Sequence, residues 1–136
     1  MPMLKAIKVT AAVIEKDGKI LIAKRKAGDR MGGKWEFPGG KLDPRETPEE
    51  CLRRELKEEL DIDAEIGEFI CSTRFRYWLV PLELLVYKAR YLAGELKALD
   101  HDELAWVRPS ELDRYDFVKP DVSVVRKLMK DVYHVA

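Results

Sequence analysis

The strongest structural signal in the chain is one amphipathic helix that begins at Thr47. Thr47 is a favoured helix-capping residue, Pro48 suits the first helical position, and Glu50 completes a capping box. Leucines then recur every four residues, which predicts that one face of the helix is buried. That apolar stripe consists of Leu52, Leu56 and Leu60. A helix of this kind needs a second apolar layer to pack against, and we look for it in the flanking segments.

The segments before this helix read as a β-hairpin followed by a loop. Residues 7–15 carry apolar side chains at both odd and even positions, which indicates a strand covered on both faces. Asp17-Gly18 predicts a tight turn, so residues 19–24 form the returning strand. Residues 27–40 are rich in glycine and are predicted to be mainly loop.

The second half of the chain supplies more strands and a second helix. Strands are predicted at residues 64–77, 82–91 and 104–107. A turn of helix follows at residues 109–112 with Ser110 as its cap, and a final helix at residues 122–132. This order of elements favours an α+β fold in which a mixed β-sheet is sandwiched between helices. We expect a single domain that covers residues 1–136.

The overall composition narrows the class of ligand. Lys and Arg together number 25, as do Asp and Glu, so the formal net charge is zero. Proteins that bind long nucleic acid usually carry a basic excess, so we expect a small-molecule ligand instead. The chain has no apolar run of about 18 residues and no signal-peptide pattern, which predicts a cytoplasmic protein without a membrane partner. Cys51 and Cys71 are predicted to be buried reduced thiols, since their spacing does not suit zinc.

The polar side of the predicted helix concentrates acidic residues. Two glutamates precede an arginine by four residues and are predicted to form solvated pairs, Glu49–Arg53 and Glu50–Arg54. Three others fall within an arc of about 100° beside the leucine stripe, namely Glu55, Glu58 and Glu59. Their mutual repulsion favours a cation between them, and oxygen ligands suit a hard ion such as Mg²⁺. An ordinary charged helix is the alternative interpretation.

The spacing of these residues resembles the Nudix box. The matching positions are Gly40, Glu46, Arg54-Glu55-Leu56, Glu58-Glu59 and Ile62. Trp35-Glu36-Phe37-Pro38-Gly39 extends the match, and the resemblance to MutT-like members, especially the CTP pyrophosphohydrolase branch, covers nearly the whole chain. It implies a Nudix fold. It also implies a Mg²⁺-dependent enzyme, with Mn²⁺ as a substitute, that converts a nucleoside triphosphate to the monophosphate and pyrophosphate, including oxidised or modified nucleotides.

One position departs from the box. The family has glycine where this chain has Asp61. Glycine there would allow a left-handed residue that closes the helix. Asp tolerates that conformation better than most residues, at a cost of about 1 kcal/mol, so we expect a local adjustment and no loss of function.

The resemblance also implies roles for residues in and near the box. The divalent cation ligands would be Glu55, Glu58 and Glu59, with the carbonyl oxygen of Gly40 as a further candidate. Glu46 and Arg54 would orient the loop and the helix carboxylates. An acid outside the box would serve as general base. For this role Asp100 is the first candidate and Glu103 the second, although the segment also suits a polar surface loop. His101 could act as a base at neutral pH, but we expect it on the surface.

Substrate contacts are implied at three positions. Arg25 matches a phosphate-contacting position, and Phe37 and Asp121 match positions that line the nucleobase pocket. MutT has asparagine where this chain has Asp121, and an ionised carboxylate only accepts hydrogen bonds, which favours an amino-bearing edge such as that of cytosine. Capping of the last helix is the alternative for Asp121. Tyr77 and Trp78 are aromatic candidates either for stacking on a base or for filling the core.

The residues leave other functions open. A Nudix hydrolase of this size could act on ADP-ribose, a dinucleoside polyphosphate or a nucleotide sugar, although the short chain disfavours ADP-ribose. A non-catalytic Nudix-fold nucleotide-binding module is a further alternative, which the intact set of box glutamates disfavours. The sequence does not name the base or the sugar, and it does not distinguish a monomer from a homodimer.

Overall fold

The computed structural model describes residues 5–77 and 79–134, with side chains as far as Asp131. Within these ranges the chain forms strands, two α-helices and one 3₁₀ segment. The strands are β1 (Ile7–Lys16), β2 (Lys19–Arg25), β3 (Trp35–Glu36), β4 (Asp63–Tyr77), β5 (Val80–Ala93) and β6 (His101–Val107). The α-helices are α1 (Pro48–Leu60) and α2 (Lys119–His134), and the 3₁₀ segment is Pro109–Arg114. No described helix is both long enough and apolar enough to cross a membrane.

The strands form one mixed sheet. Its order is β3-β2-β1-β5-β4, and β6 pairs with β2. β1 and β5 run parallel, with Ile7 opposite Leu82 and Glu15 opposite Arg90, whereas the other pairs are antiparallel. The predicted mixed sheet is therefore confirmed.

The central strand β1 is covered on both faces, as its apolar pattern predicted. Ala11 and Val13 belong to an apolar cluster that includes Val124 and Leu128 of α2. Their neighbours Ala12 and Ile14 belong to a second cluster, which includes the helix α1 leucines Leu52, Leu56 and Leu60. Successive side chains of a strand point to opposite faces. The two helices therefore cover opposite sides of the sheet, and the predicted sandwich is confirmed.

Both ends of α1 follow from local chemistry. The Thr47 hydroxyl accepts a hydrogen bond from the Glu50 amide at 3.2 Å, and the Glu50 carboxylate accepts one from the Thr47 amide at 2.9 Å, so the predicted capping box is present. At the other end Asp61 adopts a left-handed conformation with φ 57° and ψ 37°. Its carboxylate lies 3.6 Å from Lys57 and 3.5 Å from Lys97. Asp61 thus closes the helix in the conformation that glycine would adopt.

Three elements depart clearly from the prediction, while the other bounds shift by one or two residues. The two-residue strand β3 lies inside the segment that was predicted to be loop. It forms by pairing with the distant residues Ala23 and Lys24, so local sequence did not reveal it. β6 begins at His101, three residues earlier than expected, and α2 begins at Lys119. Ser110 is not a helix cap, since Arg108 holds that position without a side-chain hydrogen bond. Of the two free thiols, Cys51 is buried as predicted and Cys71 is only half-buried.

Candidate active site

A cavity of about 420 Å³ brings together residues from both halves of the chain. Its walls include β1, the loop after β2, α1, the end of β4 and the start of α2. Seven predicted site residues line it: Arg25, Phe37, Gly40, Glu55, Glu59, Asp100 and Asp121. Three others are not in its lining: Arg54 forms ion pairs with both Glu46 and Glu58 beside it. Two box carboxylates, Glu55 and Glu59, therefore share one cavity with the predicted nucleobase residues Phe37 and Asp121.

Arg54 ties the loop before α1 to the acidic face of the helix. Its guanidinium binds both carboxylate oxygens of Glu46, at 2.6 and 3.1 Å, and one oxygen of Glu55 at 2.9 Å. Hydrogen bonds from Arg54, with one from the Asp43 amide, lower the pKa of Glu46 to about 2. These contacts agree with the orienting role expected for the pair. A bidentate pair of this kind fixes direction as well as distance.

The prediction of two ion pairs along the surface of α1 is wrong. Arg54 does not pair with Glu50, because the Glu50 carboxylate is engaged in the capping box and Glu46 offers a better-placed partner. Among the ion pairs within the described residues, Glu49–Arg53 is also missing. Arg54 instead reaches Glu58, four residues ahead, at 3.4 Å.

The two box glycines are required by close approach. A Cβ atom at Gly39 would overlap the backbone carbonyl of Thr10, and one at Gly40 would overlap the carboxyl group of Glu55. The Gly40 carbonyl oxygen accepts two hydrogen bonds from Thr10, from the amide at 2.8 Å and from the hydroxyl at 3.0 Å. The absence of side chains therefore lets the loop pack directly against β1 and Glu55.

The three helix glutamates occupy three different environments. Glu58 is exposed, whereas Glu55 is largely enclosed, and burial raises the pKa of Glu55 despite its bond to Arg54. The Glu59 side chain is only 9% exposed, and its Oε2 has no hydrogen-bond partner within the described residues. Burial, followed by the negative charges of Glu55, Glu36 and Asp100, raises the pKa of Glu59 to about 9. A buried carboxylate oxygen without a donor, such as Oε2 of Glu59, fits a site that binds a cation.

We expect Glu59→Gln to stabilise the protein when divalent cations are absent. Between the pKa of about 4.3 for an unfolded Glu and the folded pKa of about 9, the folded state keeps a proton that the unfolded state releases, so stability falls as pH rises. The variant should therefore gain roughly 1–3 kcal/mol near pH 8 and less near pH 5. Thermal melts in a chelator at both pH values measure this. Exposed Glu68→Gln is the matched control, and an identical gain at both pH values would contradict the argument.

Glu36 and His101 form a largely buried pair that was not predicted from the sequence. His101 was expected on the surface, but it is the first residue of β6 and its side chain is only 2% exposed. Its Nε2 lies 2.9 Å from Oε2 of Glu36, whose Oε1 accepts a hydrogen bond from Arg25 at 2.8 Å. Burial alone would raise the pKa of Glu36, but the His101 and Arg25 hydrogen bonds lower it. The position of Glu36 inside the extended box was the one available signal.

The two candidates for general base are placed differently. Asp100 lines the cavity, and its negative charge contributes to the raised pKa of Glu59. Its carboxylate forms no hydrogen bond with any described residue. Glu103 is exposed on β6 and does not line the cavity. The neighbouring Asp102 accepts a hydrogen bond from the Ala27 amide at 2.9 Å and helps to fix the loop after β2.

Aromatic and acidic residues meet at the predicted nucleobase position. Phe37 stacks on Phe117 with ring centroids 5.1 Å apart. Oδ2 of Asp121 accepts a hydrogen bond from the Phe37 amide at 2.9 Å, and burial raises the pKa of Asp121 to about 7. Asp121 lies inside the first turn of α2 and bonds to Phe37, so the helix-capping alternative is wrong. Tyr77 lines the same cavity, while Trp78 lies outside the described residues.

Two cations of the cavity wall remain without an acidic partner. Arg25 is neutralised by Glu36, whereas Arg30 and Lys41 form no ion pair with the residues that the structure describes. The Arg30 guanidinium lies over the Tyr77 ring, 5.2 Å from its centroid. These two side chains add positive charge to a cavity wall that also carries carboxylates.

Comparison with known proteins agrees with this arrangement. The NUDIX domain model matches residues 4–128. The chain is 38% identical over 126 residues to a CTP pyrophosphohydrolase of Escherichia coli (strain K12), covering 93% of each chain. It is 31% identical over 131 residues to an 8-oxo-dGTP diphosphatase of Haemophilus influenzae, covering 96% of each. The solution structure of the E. coli ORF135 protein superposes with a TM-score of 0.86 at 35% identity, over 100% of this chain and 99% of that one. The chain therefore belongs to the Nudix family and is a Nudix hydrolase of the MutT-like type.

Proposed function

We propose that this hydrolase is a Mg²⁺-dependent nucleoside triphosphate pyrophosphohydrolase, converting an NTP or dNTP and water to the monophosphate and pyrophosphate. The observation that carries the proposal is the single cavity in which Glu55 and Glu59 lie together with Phe37 and Asp121. A nucleotide must place its phosphates and its base at two chemically different ends of one site. The names of the relatives, a CTP pyrophosphohydrolase and an 8-oxo-dGTP diphosphatase, support the same class of substrate.

The box carboxylates fit a hard divalent cation. The donors are all carboxylate oxygens, and Oε2 of Glu59 lacks any partner in the described part of the chain. Glu55, Glu58 and Glu59 would hold the ion, and when bound it would supply a water of lowered pKa and positive charge for the attacked phosphate. The Gly40 carbonyl is a weaker ligand candidate, because Thr10 already donates two hydrogen bonds to it.

Asp100 is the best-placed general base outside the helix. The other carboxylates in the cavity wall that lie outside α1 are already engaged, Glu36 by Arg25 and His101 and Asp121 by the Phe37 amide. Asp100 has no such partner among the described residues and lines the same wall as Glu59. A base must reach the proton that it accepts. We therefore assign to Asp100 the proton of the attacking water.

The polyphosphate would be held by cations of the cavity wall. Arg30 and Lys41 carry charge that no described acid neutralises, so they can give it fully to phosphate oxygens. Arg25, the residue implied by the family resemblance, shares its guanidinium with Glu36 at 2.8 Å and so contributes less net charge. Its Nε donates to the Arg30 carbonyl at 2.8 Å, which holds the Arg30 backbone in place.

Base selection would rest on Asp121. Oδ2 accepts the hydrogen bond from Phe37, and Oδ1 has no protein partner within the described residues. When ionised, Oδ1 can only accept, so it would favour a base with an exocyclic amino group, such as cytosine. Phe37 is fixed by its stacking on Phe117 and would form the apolar wall beside the base.

The test of the proposal is pyrophosphate release with Mg²⁺ across a panel of nucleotides. The panel contains ordinary, methylated and oxidised triphosphates, together with ADP-ribose, a dinucleoside polyphosphate and a nucleotide sugar. We expect the highest kcat/KM with a triphosphate that bears an amino group on its base, and no turnover in a chelator. A higher kcat/KM with ADP-ribose or a dinucleoside polyphosphate would contradict the assignment of substrate class.

A further inference from the structure

Three largely buried side chains from three different elements meet beside the carboxylate cluster. They are Glu36 of β3, Glu59 of α1 and His101 of β6. Nε2 of His101 lies 2.9 Å from Oε2 of Glu36 and 3.9 Å from Oε1 of Glu59. Only Glu59 belongs to the box helix. The sequence pattern predicts no positioning role for the other two residues, although their polar atoms lie close to this proposed cation ligand.

The hydrogen bonds determine how His101 is oriented. Arg25 donates to Oε1 of Glu36, and the second oxygen of Glu36 faces His101, so Glu36 acts as an acceptor on both sides. Nε2 of His101 must then carry the hydrogen and donate it. Nδ1 of His101 is buried without a partner in the described ranges. The single bond to Glu36 thus fixes both the ring and its tautomer.

The Glu59 carboxylate is restrained mainly by the side chains packed around it. Its Oε2 has no hydrogen-bond donor among the described residues, and its Oε1 lies too far from His101 for a hydrogen bond. The imidazole ring therefore limits the position of this carboxylate by contact. If the ring were free to turn, the carboxylate would gain conformations that the neighbouring Gly39 amide alone does not exclude.

We propose that Glu36 and His101 form a positioning pair that holds the Glu59 carboxylate in place for a divalent cation. The inference rests on the proposed function, since it concerns a ligand of the metal proposed there. Residues that orient a metal ligand typically contribute 10–100-fold to metal affinity or activity. A buried pair that only stabilises the fold would contribute to thermal stability and leave metal affinity unchanged.

The experiment measures Mn²⁺ binding to the protein alone, from the electron paramagnetic resonance signal of the free ion. In His101→Asn the shorter amide cannot reach Glu36, and we expect the Kd for Mn²⁺ to rise by tenfold or more. In His101→Gln the amide nitrogen can take the place of Nε2, so we expect the Kd to stay within about threefold of wild type. Val107→Ala, at the other end of β6, is the matched control: it should lower Tm without changing the Kd.

Glu36→Gln gives a second, independent result. An amide cannot accept from Arg25 and His101 on both sides, so this variant should weaken Mn²⁺ binding as His101→Asn does. Unchanged Kd values in Glu36→Gln and His101→Asn, with normal wild-type binding, would overturn the inference alone. Equal weakening in His101→Gln and His101→Asn would also overturn it, because the hydrogen bond would then not be the cause. A wild-type protein that binds no Mn²⁺ would remove the proposed metal function together with this inference.

Discussion

Glu55→Gln is expected to lower kcat by a hundredfold or more and to leave the fold intact. Glutamine keeps the size of the side chain but removes the charge that a divalent cation needs, and losing one electrostatic contact of this kind usually costs about 10²–10³ in rate. The fold should survive because Arg54 keeps its bidentate bond to Glu46. Steady-state kinetics with CTP and Mg²⁺, together with thermal melts, measure both parts of the prediction.

The control for this prediction removes the same charge elsewhere. Glu65 lies on β4, pairs with Arg90 at 3.1 Å and does not line the cavity, so Glu65→Gln should retain wild-type kcat. Glu58→Gln should lower kcat on the same scale as Glu55→Gln, even though Glu58 is exposed. Wild-type activity in a folded Glu55→Gln protein would remove Glu55 from the metal site.

Asp121→Asn is expected to change which base is preferred more than it changes the rate of chemistry. The substitution puts a donor amide where the carboxylate only accepts. The kcat/KM for nucleotides with an amino group on the base should therefore fall, and that for nucleotides with a carbonyl group there should rise. A lost or reversed contact of this kind is worth roughly 1–3 kcal/mol, or about 5- to 150-fold in relative kcat/KM. The quantity to measure is the ratio of kcat/KM for CTP to that for UTP.

This ratio is best compared above the pKa of Asp121, which burial raises to about 7, so that the wild-type side chain is ionised. Asparagine can still accept the hydrogen bond from the Phe37 amide, so the pocket should keep its shape. Phe37→Leu is a useful companion, because it should weaken both substrates alike by removing the apolar wall. A CTP-to-UTP ratio that stays within about twofold in Asp121→Asn would show that the base is read elsewhere.

Elements with strong local signals were predictable from the sequence. The capping box and the leucine stripe of α1 depend on residues within one or two helical turns, and both occur in the structure as predicted. The apolar pattern of β1 correctly predicted that both faces of the sheet are covered, because successive side chains of a strand alternate between its faces. The left-handed conformation of Asp61 also followed from its position at the end of a helix.

The parts that were missed depend on contacts between distant residues. β3 exists because Trp35 and Glu36 pair with β2 and because Trp35 bridges to Phe117. Spacing along the helix predicted a pair between Glu50 and Arg54, but the tertiary partner Glu46, eight residues away, competes successfully. His101 was predicted to lie in a loop, because its place in β6 depends on pairing with the distant Arg25. Short sequence patterns do not predict these long-range pairings.

The box residues could be recognised, but their individual environments could not. The sequence pattern treats Glu55, Glu58 and Glu59 alike, whereas the structure leaves Glu58 exposed and buries Glu59 against His101. Burial depends on the packing of α1 against the sheet and on the approach of β3 and β6. The distinction between an exposed and a buried carboxylate therefore required the folded chain.

The products of CTP hydrolysis in the presence of Mg²⁺, identified by ³¹P nuclear magnetic resonance, decide whether this protein is a nucleoside triphosphate pyrophosphohydrolase. We expect CMP and pyrophosphate from the wild-type protein and from Glu65→Gln, and neither product above background from Glu55→Gln or in a chelator. Formation of CDP and orthophosphate would contradict it, as would equal turnover by Glu55→Gln and the wild-type protein.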